Sequence, residues 1–463
     1  KKKFFLYIIF VIILFLFILG IAPLSFQNDT LFDISLGDKY INDVISTIDE
    51  YSIHENLEYT PQHFMVNIIT YLIYNFSGFF GLYIWCIILT CILAFLLTPF
   101  ISIRAQMYSY IFFLLELIFI EKFLRSKQYK YLIPLSILPL FIINFHAGTI
   151  YFYFIIIFVY LLNYIKIKTS KIEYNKDYVT NLKYLLIPII FGILFTFVNP
   201  FGYNQIMYCV KTLSNSFINA YISEFQPINI KNTCGEFFYI YLLLIVVSIL
   251  YTKKKITLER LFLLLGTSFM TLMTLRHFSL FVIFTVPCLE YIEELVIKFK
   301  NLLYKGITKQ GVKVLRITII AMYLLIAICF SFKNSFSNNR AGYLPKSVYP
   351  IDSVNYIKEN IGNNSRIFNE YTYGSLLMFN DIKCFIDSRC DLYTKEYNKD
   401  CTVAEDYINA INCTGNYEEI LSKYNIEYLL ISKDSALAKN IFNNSKCEKI
   451  FEDKISYVIK VNH

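Results

Sequence analysis

Apolar residues fall into long runs rather than the short alternations of a soluble chain. Eleven runs stand out, at roughly 4–24, 62–77, 79–99, 106–121, 131–144, 149–165, 184–199, 237–251, 257–274, 278–296 and 317–332. Each is read as a membrane-spanning helix, because a hydrocarbon core takes about 20 apolar residues in helical form. The shorter ones cross with little tilt or with local thinning of the bilayer. The first run follows Lys1–Lys2–Lys3, and Pro23–Leu24–Ser25 behind it makes a poor cleavage site, which predicts a retained signal anchor.

Beyond residue 332 the apolar runs shrink to strand length. Pro350 to Ile361 reads as an amphipathic helix with Val354, Ile357 and Ile361 on one face. Arg366–Asn369, Cys384–Ile386 and Glu427–Ile431 read as short strands, and Tyr417–Tyr424 as a helix. Ser435 is placed to cap a helix through Phe442, and two strands near Cys447–Phe451 and Ser456–Val461 close the chain. Alternating helix and strand predicts a small α/β domain over 333–463, behind a membrane domain over 1–332.

Composition sharpens this. Of 463 residues, 56% are hydrophobic and only 17% charged, with a mean hydropathy of +0.49. A soluble chain carries about 25% charged residues, so a soluble, disordered, collagen-like or coiled-coil protein is excluded. The net charge of +8 would suit nucleic-acid binding, but its placement argues otherwise. With Lys1 in the cytoplasm, alternating sides puts 22 basic residues in inner stretches and 5 in outer loops ahead of the tail. The positive-inside rule favours that orientation, with the tail outside. Eleven cysteines are present without a C-x-x-C pair, so metal binding by cysteine is not expected. An outer location would permit disulfides.

Varied polar chemistry gathers on the outer side, in loops at about 25–61 and 200–236 and in short turns. Asp29 and Asp33 follow the first span and lie four apart, so on a helix they share a face. Leu31, Ile34, Ile41, Val44, Ile45 and Ile48 occupy the other face, which predicts an amphipathic helix over 30–48 along the membrane surface. Arg104, Asn144, His146, Glu224, Gln226, Arg276 and His277 reach the same outer layer. Each alone reads as capping, turn-making or snorkelling. Ionisable groups together at that depth point to a shared site.

Several motifs carry a resemblance. They are Arg104–Ala105–Gln106, Asn144–Phe145–His146–Ala147–Gly148, Asn199–Pro200–Phe201–Gly202, Glu224–Phe225–Gln226–Pro227 and Arg276–His277. In the tail come Phe368–Asn369–Glu370–Tyr371–Thr372–Tyr373–Gly374 and Phe385–Ile386–Asp387–Ser388–Arg389–Cys390–Asp391–Leu392–Tyr393. In order and placement the chain resembles a less-characterised bacterial branch of the GT-C membrane glycosyltransferases, the superfamily of protein O-mannosyltransferases and aminoarabinose transferases. It departs from that branch at Ala105 for Pro, at His277 for Asn, and at Phe32–Asp33 where an aromatic followed by His is usual.

The resemblance implies a polytopic α-helical membrane protein of about 11 transmembrane helices, GT-C-like, with a small extracytoplasmic α/β domain. It implies a sugar transferase using a polyprenyl-phosphate donor and an extracytoplasmic glycan, lipid or protein acceptor. Asp29 and Asp33 would be catalytic. Arg104, Asn144, His146, Glu224, Gln226, Arg276 and His277 would bind substrate. No cofactor is called for, though Asp29 and Asp33 leave room for a divalent cation. No P-loop or Gly-rich dinucleotide fingerprint occurs, which suits a lipid-linked donor better than a nucleotide sugar. The alternatives are another outer-face cell-envelope ligase or polymerase, a transporter, and a membrane scaffold.

Overall fold

A computed structural model describes residues 26–43, 45–93, 105–213, 221, 223–231, 233–252, 254–295, 344–442 and 445–462. The first and last predicted spans and Arg104 lie outside them, as does the end of the third.

Predicted spans and observed helices correspond closely. The helix Phe64–Leu93 is interrupted at Ser77 and at Gly78, whose φ of 61° suits a residue without Cβ, and the two apolar runs divide at that point. Ala105–Ser126, Leu132–His146, Ile150–Leu161, Leu186–Thr196, Thr233–Tyr251 and Leu258–Met273 follow in order. The next apolar run begins as Phe278–Phe284 and is broken before Pro287. Among the described residues, three helical runs are long and apolar enough to cross a membrane: Phe64–Trp85, Tyr129–Ile165 and Cys234–Tyr251. The second is broken at its middle, where His146 takes φ −159° and ψ 78°.

The helix ends sort into two layers. At one end Glu121 accepts from Tyr160 (3.0 Å) and Tyr178 (2.6 Å), and Asn163 donates to Glu259 (2.9 Å). Beside them Lys171 donates to the carbonyls of Leu250 and Thr252, and Ile172–Glu173 (β1) pairs with Ile256–Thr257 (β2). The described basic stretches, at 122–130, 166–183 and 254–260, lie at this end. At the other end lie residues 26–62, the turn at 146–149, the helix Tyr203–Leu213 and the turn at 274–277, against the tail.

The tail holds a four-stranded sheet of order β3–β4–β6–β5, from Ile367–Asn369 (β3), Tyr428–Ser432 (β4), Cys447–Glu452 (β5) and Ser456–Val461 (β6). β3 runs parallel to β4, and the other pairs are antiparallel. Ile351–Asn360 is the expected helix, with Val354 and Ile357 buried. Ser435 caps Ala436–Ile441 by accepting from the Ala438 amide at 3.1 Å. Cys384–Ile386 is not a strand of this sheet. Its extended backbone bridges to Ser52 of the first loop instead. Cys209, Cys234, Cys288 and the five cysteines of the tail are free thiols.

One expectation is corrected. The helix after the first span runs over Asn28–Asn42 rather than 30–48, and protein covers the Leu31 and Ile34 of its expected lipid-facing side. It is clamped between Phe64–Leu93 and the tail helix Gly374–Phe379, and Leu31, Phe32, Ile34 and Leu36 are all buried. The Gly37 backbone approaches so closely that a Cβ there would sit 2.1 Å from the Asn67 carbonyl oxygen. Ile41, Ile45 and Ile48 of the supposed apolar face are exposed. Phe32, Leu36, Tyr40, Ile53, Leu57 and Tyr59 instead share one core with Phe385, Leu392, Tyr393 and Leu429 of the tail. Burying such side chains stabilises by about 1.5–3 kcal/mol each, so the first loop and the tail pack as one body.

Candidate functional site

Two cavities open in the layer where the helix bundle meets this body. The larger, about 510 Å³, is lined by Asp29, Asp33, His63, Glu224, Arg276 and Asp391 among others. The smaller, about 310 Å³, is lined by Ser109, His146, Thr149, Arg276 and His277 among others. Gln62, Gln106, Thr212, Phe225 and Arg276 line both, so the chambers adjoin across a shared wall.

The helical spacing of Asp29 and Asp33 brings both carboxylates to the larger chamber, but not equally. Asp29 is partly exposed, whereas Asp33 is 1% exposed. In the amide orientation that satisfies both its ends, Asn67 donates to Asp33 Oδ1 at 2.7 Å and to the His63 carbonyl at 3.1 Å. Asp29 is thus the more exposed of the two carboxylates in the chamber, and Asp33 the more deeply buried.

Arg276 stands at the junction. Its turn, Leu275–His277, is pinned by the Leu275 amide donating to the Gln226 carbonyl at 2.8 Å. The guanidinium lies 5.1 Å from the Phe225 ring centroid, a cation–π contact that orients it while leaving its N–H groups for a ligand. The Glu224–Gln226 turn is thereby fastened beneath Arg276. Glu224 faces the larger chamber, while the exposed Gln226 lines neither and contributes through its backbone.

Asn144 also lines neither chamber. Its side chain donates to the carbonyls of Leu140 (2.8 Å) and Val198 (2.9 Å), tying two helix ends together. His146 and His277 line the smaller chamber. Six of the nine residues expected from the sequence thus line the two chambers. Arg104 is not described, although its neighbours Ala105 and Gln106 line the larger one. Asn199–Gly202 makes the expected turn, with Asn199 Oδ1 accepting from the Phe201 amide and Gly202 at φ 52°.

Sequence reasoning missed Gln62, and placed Asp391 in a tail motif without a role of its own. Gln62 Nε2 donates to Asp391 Oδ2 at 3.3 Å and also bonds the Tyr208 hydroxyl. Its carbonyl accepts from the Ala147 amide at 2.9 Å. A Cβ at Gly148 would lie 2.8 Å from Gln62 Oε1, so a side chain there would displace the Gln62 amide. No spacing in the sequence relates residue 62 to residue 391.

The tail motif splits into two jobs. Arg389 is buried and grips Asp387 through Nε (2.9 Å) and Nη2 (2.7 Å), while Nη1 reaches Asp49 at 2.6 Å. Tyr51 and Tyr59 rings flank the guanidinium at 5.7 and 5.1 Å. Burial alone would raise the Asp387 carboxyl, but Arg389 and the Tyr393 hydroxyl hold it below the usual range. This is a buried latch between the tail and the first loop.

Asp391 is different. Protein surrounds it, its exposed edge faces the chamber, and burial pushes its carboxyl up to about 7 against the lowering effect of Gln62. An unfolded Asp titrates near 3.9. Between those values the native state keeps a proton the unfolded state has released, so stability falls as pH rises from about 4 to 7. Asp391→Asn should therefore stabilise the protein more at pH 8 than at pH 5, by on the order of 2 kcal/mol less whatever cavity water returns. Thermal unfolding at both pH values measures it, and a pH-independent difference would refute it.

Among the described residues no group of three or more His, Cys, Asp or Glu side chains is arranged to hold a metal ion.

No protein-family model and no curated protein matches the chain. Solved structures do. The Archaeoglobus fulgidus oligosaccharyltransferase tethered to an acceptor peptide containing the NVT sequon superposes with a TM-score of 0.58 at 10% identity, over 93% of this chain and 69% of that one. The apo form of that enzyme gives 0.58 at 11%, over 91% and 69%. At such identity the likeness is one of fold. The chain has an oligosaccharyltransferase-like fold, mostly helical with a small sheet region.

Proposed function

We propose that this protein is a membrane glycosyltransferase that moves a sugar from a polyprenyl-phosphate donor to an extracytoplasmic acceptor. The observation that carries this reading is the pair of adjoining chambers with Arg276 in their common wall, a partly exposed Asp29 in one and His146 in the other. The fold likeness supports it. The branch suggested by the motifs, the count of eleven spans and the division at residue 332 belong to the same proposal.

In this mechanism the acceptor hydroxyl enters the larger chamber and donates its hydrogen bond to Asp29. Its oxygen attacks the sugar's anomeric carbon, the bond from that carbon to the phosphate oxygen breaks, and the phosphate leaves with the bonding electrons. Asp29 takes the hydroxyl proton as general base. Arg276 meets the phosphate, since a planar guanidinium matches its oxygens in pairs. Asp33 and Asn67 hold the Asp29 face of the helix in register.

Lipid analysis of a deletion strain tests the function directly. The expected result is accumulation of a polyprenyl-phosphate sugar together with an underglycosylated polymer or protein; unchanged lipid-linked sugars would sink the proposal. Arg276→Lys keeps charge but loses the fork, so transfer should fall about tenfold or more in a reconstituted assay. Undiminished turnover would reduce Arg276 to an interfacial cation.

The orientation has its own test. In a background freed of native cysteines, a cysteine replacing the exposed Lys176 should resist a membrane-impermeant thiol reagent in intact cells, and one replacing the exposed Asn364 should react. The reverse pattern would invert the topology drawn from the basic asymmetry.

A further inference from the structure

The hydroxyls around His146 settle the orientation of its protons. Thr149 Oγ1 donates to the His146 carbonyl at 2.9 Å, and a carbonyl oxygen only accepts, so the Thr149 proton is committed. Ser109 Oγ lies 3.2 Å from Thr149 Oγ1 and 2.7 Å from His146 Nδ1. Both contacts become hydrogen bonds in one arrangement: Ser109 gives its single proton to Thr149 and receives one from His146 Nδ1–H. The neutral imidazole then carries its proton on Nδ1 and presents a bare lone pair at Nε2. That atom is buried and has no hydrogen-bond partner among the described residues. It belongs to a residue lining the 310 Å³ chamber and lies 4.0 Å from where a Cβ on Gly148 would be.

A buried lone pair without a donor is costly, and a ligand donor removes that cost. The donor cannot be a phosphate oxygen, which is itself an acceptor and an anion. His277 differs, since its Nδ1 is already within reach of Thr274 Oγ1 and the Met270 carbonyl. A sugar hydroxyl meets the requirement at His146. Arg276 at the junction would then face the phosphate of the same ligand, with Asp29 in the neighbouring chamber left for the acceptor.

We propose that the smaller chamber is the subsite for the donor's sugar ring, with His146 Nε2 accepting a hydrogen bond from one of its hydroxyls. Ser109 is a positioning residue that fixes the tautomer. The proposal rests on the transferase reading and adds to it which chamber takes which substrate.

The test uses the full-length protein in nanodiscs and three probes: undecaprenyl phosphate, undecaprenyl phosphoglucose and undecaprenyl phosphomannose. The wild type should bind at least one sugar-bearing lipid about fivefold tighter than the sugar-free one, the scale of one net hydrogen bond. His146→Leu should erase that preference while leaving affinity for undecaprenyl phosphate unchanged. Nitrogen-15 NMR of the imidazoles should report a bare Nε2 at His146 in the wild type, and Ser109→Ala should shift the proton toward Nε2 and weaken the preference. The NMR experiment stands even where His146→Leu does not fold. A protonated Nε2 in the wild type, equal binding of all three lipids, or a preference that survives in folded His146→Leu overturns the proposal alone. Binding of none of the lipids overturns the transferase reading and the proposal with it.

Discussion

Replacing Asp29 with asparagine is expected to cut sugar transfer by about 10²–10⁴-fold, the usual cost of losing a general base. The substitution keeps the size and most of the hydrogen bonding of the side chain, so the protein should still extract and bind lipid. The expectation rests on exposure as well as position. Asp29 sits in the first turn of Asn28–Asn42, partly exposed to the larger chamber, while Asp33 one turn later is 1% exposed and held by Asn67. Asp33→Asn should therefore cost less, because it disturbs the helix face rather than the proton acceptor. Reconstituted transfer from a lipid-linked donor, alongside a folding check, separates the two. A dead Asp33→Asn beside a near-wild-type Asp29→Asn would exchange their roles. Two active variants would remove the first loop from the chemistry.

Local signals carried the sequence reading as far as local physics reaches. Apolar runs marked the helices because burial, in lipid or in protein, needs unbroken apolar faces. Ser77–Gly78 divided two of them because a positive φ favours glycine. Ser435 was legible as a cap because the cap lies within three residues of its partner. The helices Gly374–Phe379 and Val403–Ile411 were missed, the first being only 6 residues long. Six of the candidate residues line the two chambers, but their arrangement was not legible as a geometry. Gln62–Asp391 and Asp49–Arg389 join positions more than 300 residues apart. Tail contacts also cover Leu31 of the first loop, so there the tail supplies the apolar partner that lipid was expected to supply. They also redirect attention within Asp387–Asp391. The first and third residues of that run are spent on the latch, and the fifth faces the chamber.

Arg389→Met is expected to destabilise the outer body by about 3–5 kcal/mol, because it leaves two buried carboxylates without their cation. The geometry makes the loss specific. Arg389 is 4% exposed, its fork holds both oxygens of Asp387, and its remaining arm is the link to Asp49 in the first loop. Total stabilities of single domains run to about 5–15 kcal/mol, so this change should release the tail from Asn28–Asn42 well below the unfolding temperature of the wild type. Asp49→Asn should cost less, since Asp387 still neutralises the guanidinium. Arg389→Met combined with Asp49→Asn should be milder than Arg389→Met alone, because one of the stranded charges is gone. Because Asp387 is held below the usual carboxylate range, its share of the latch's stability is present above about pH 4 and lost only as pH falls through its lowered value. Hydrogen exchange and limited proteolysis of the full-length protein would follow the release through residues 49–59 and 384–394 together. If Arg389→Met unfolds within about 1 kcal/mol of the wild type, or if only one of those segments loses protection, the ion pair does not join loop to tail. Should the prediction hold, transfer should fall as well, since Ser388 to Asp391 form one wall of the larger chamber. Asp391→Asn, which leaves the latch intact, then separates loss of that wall from loss of the one carboxyl on it.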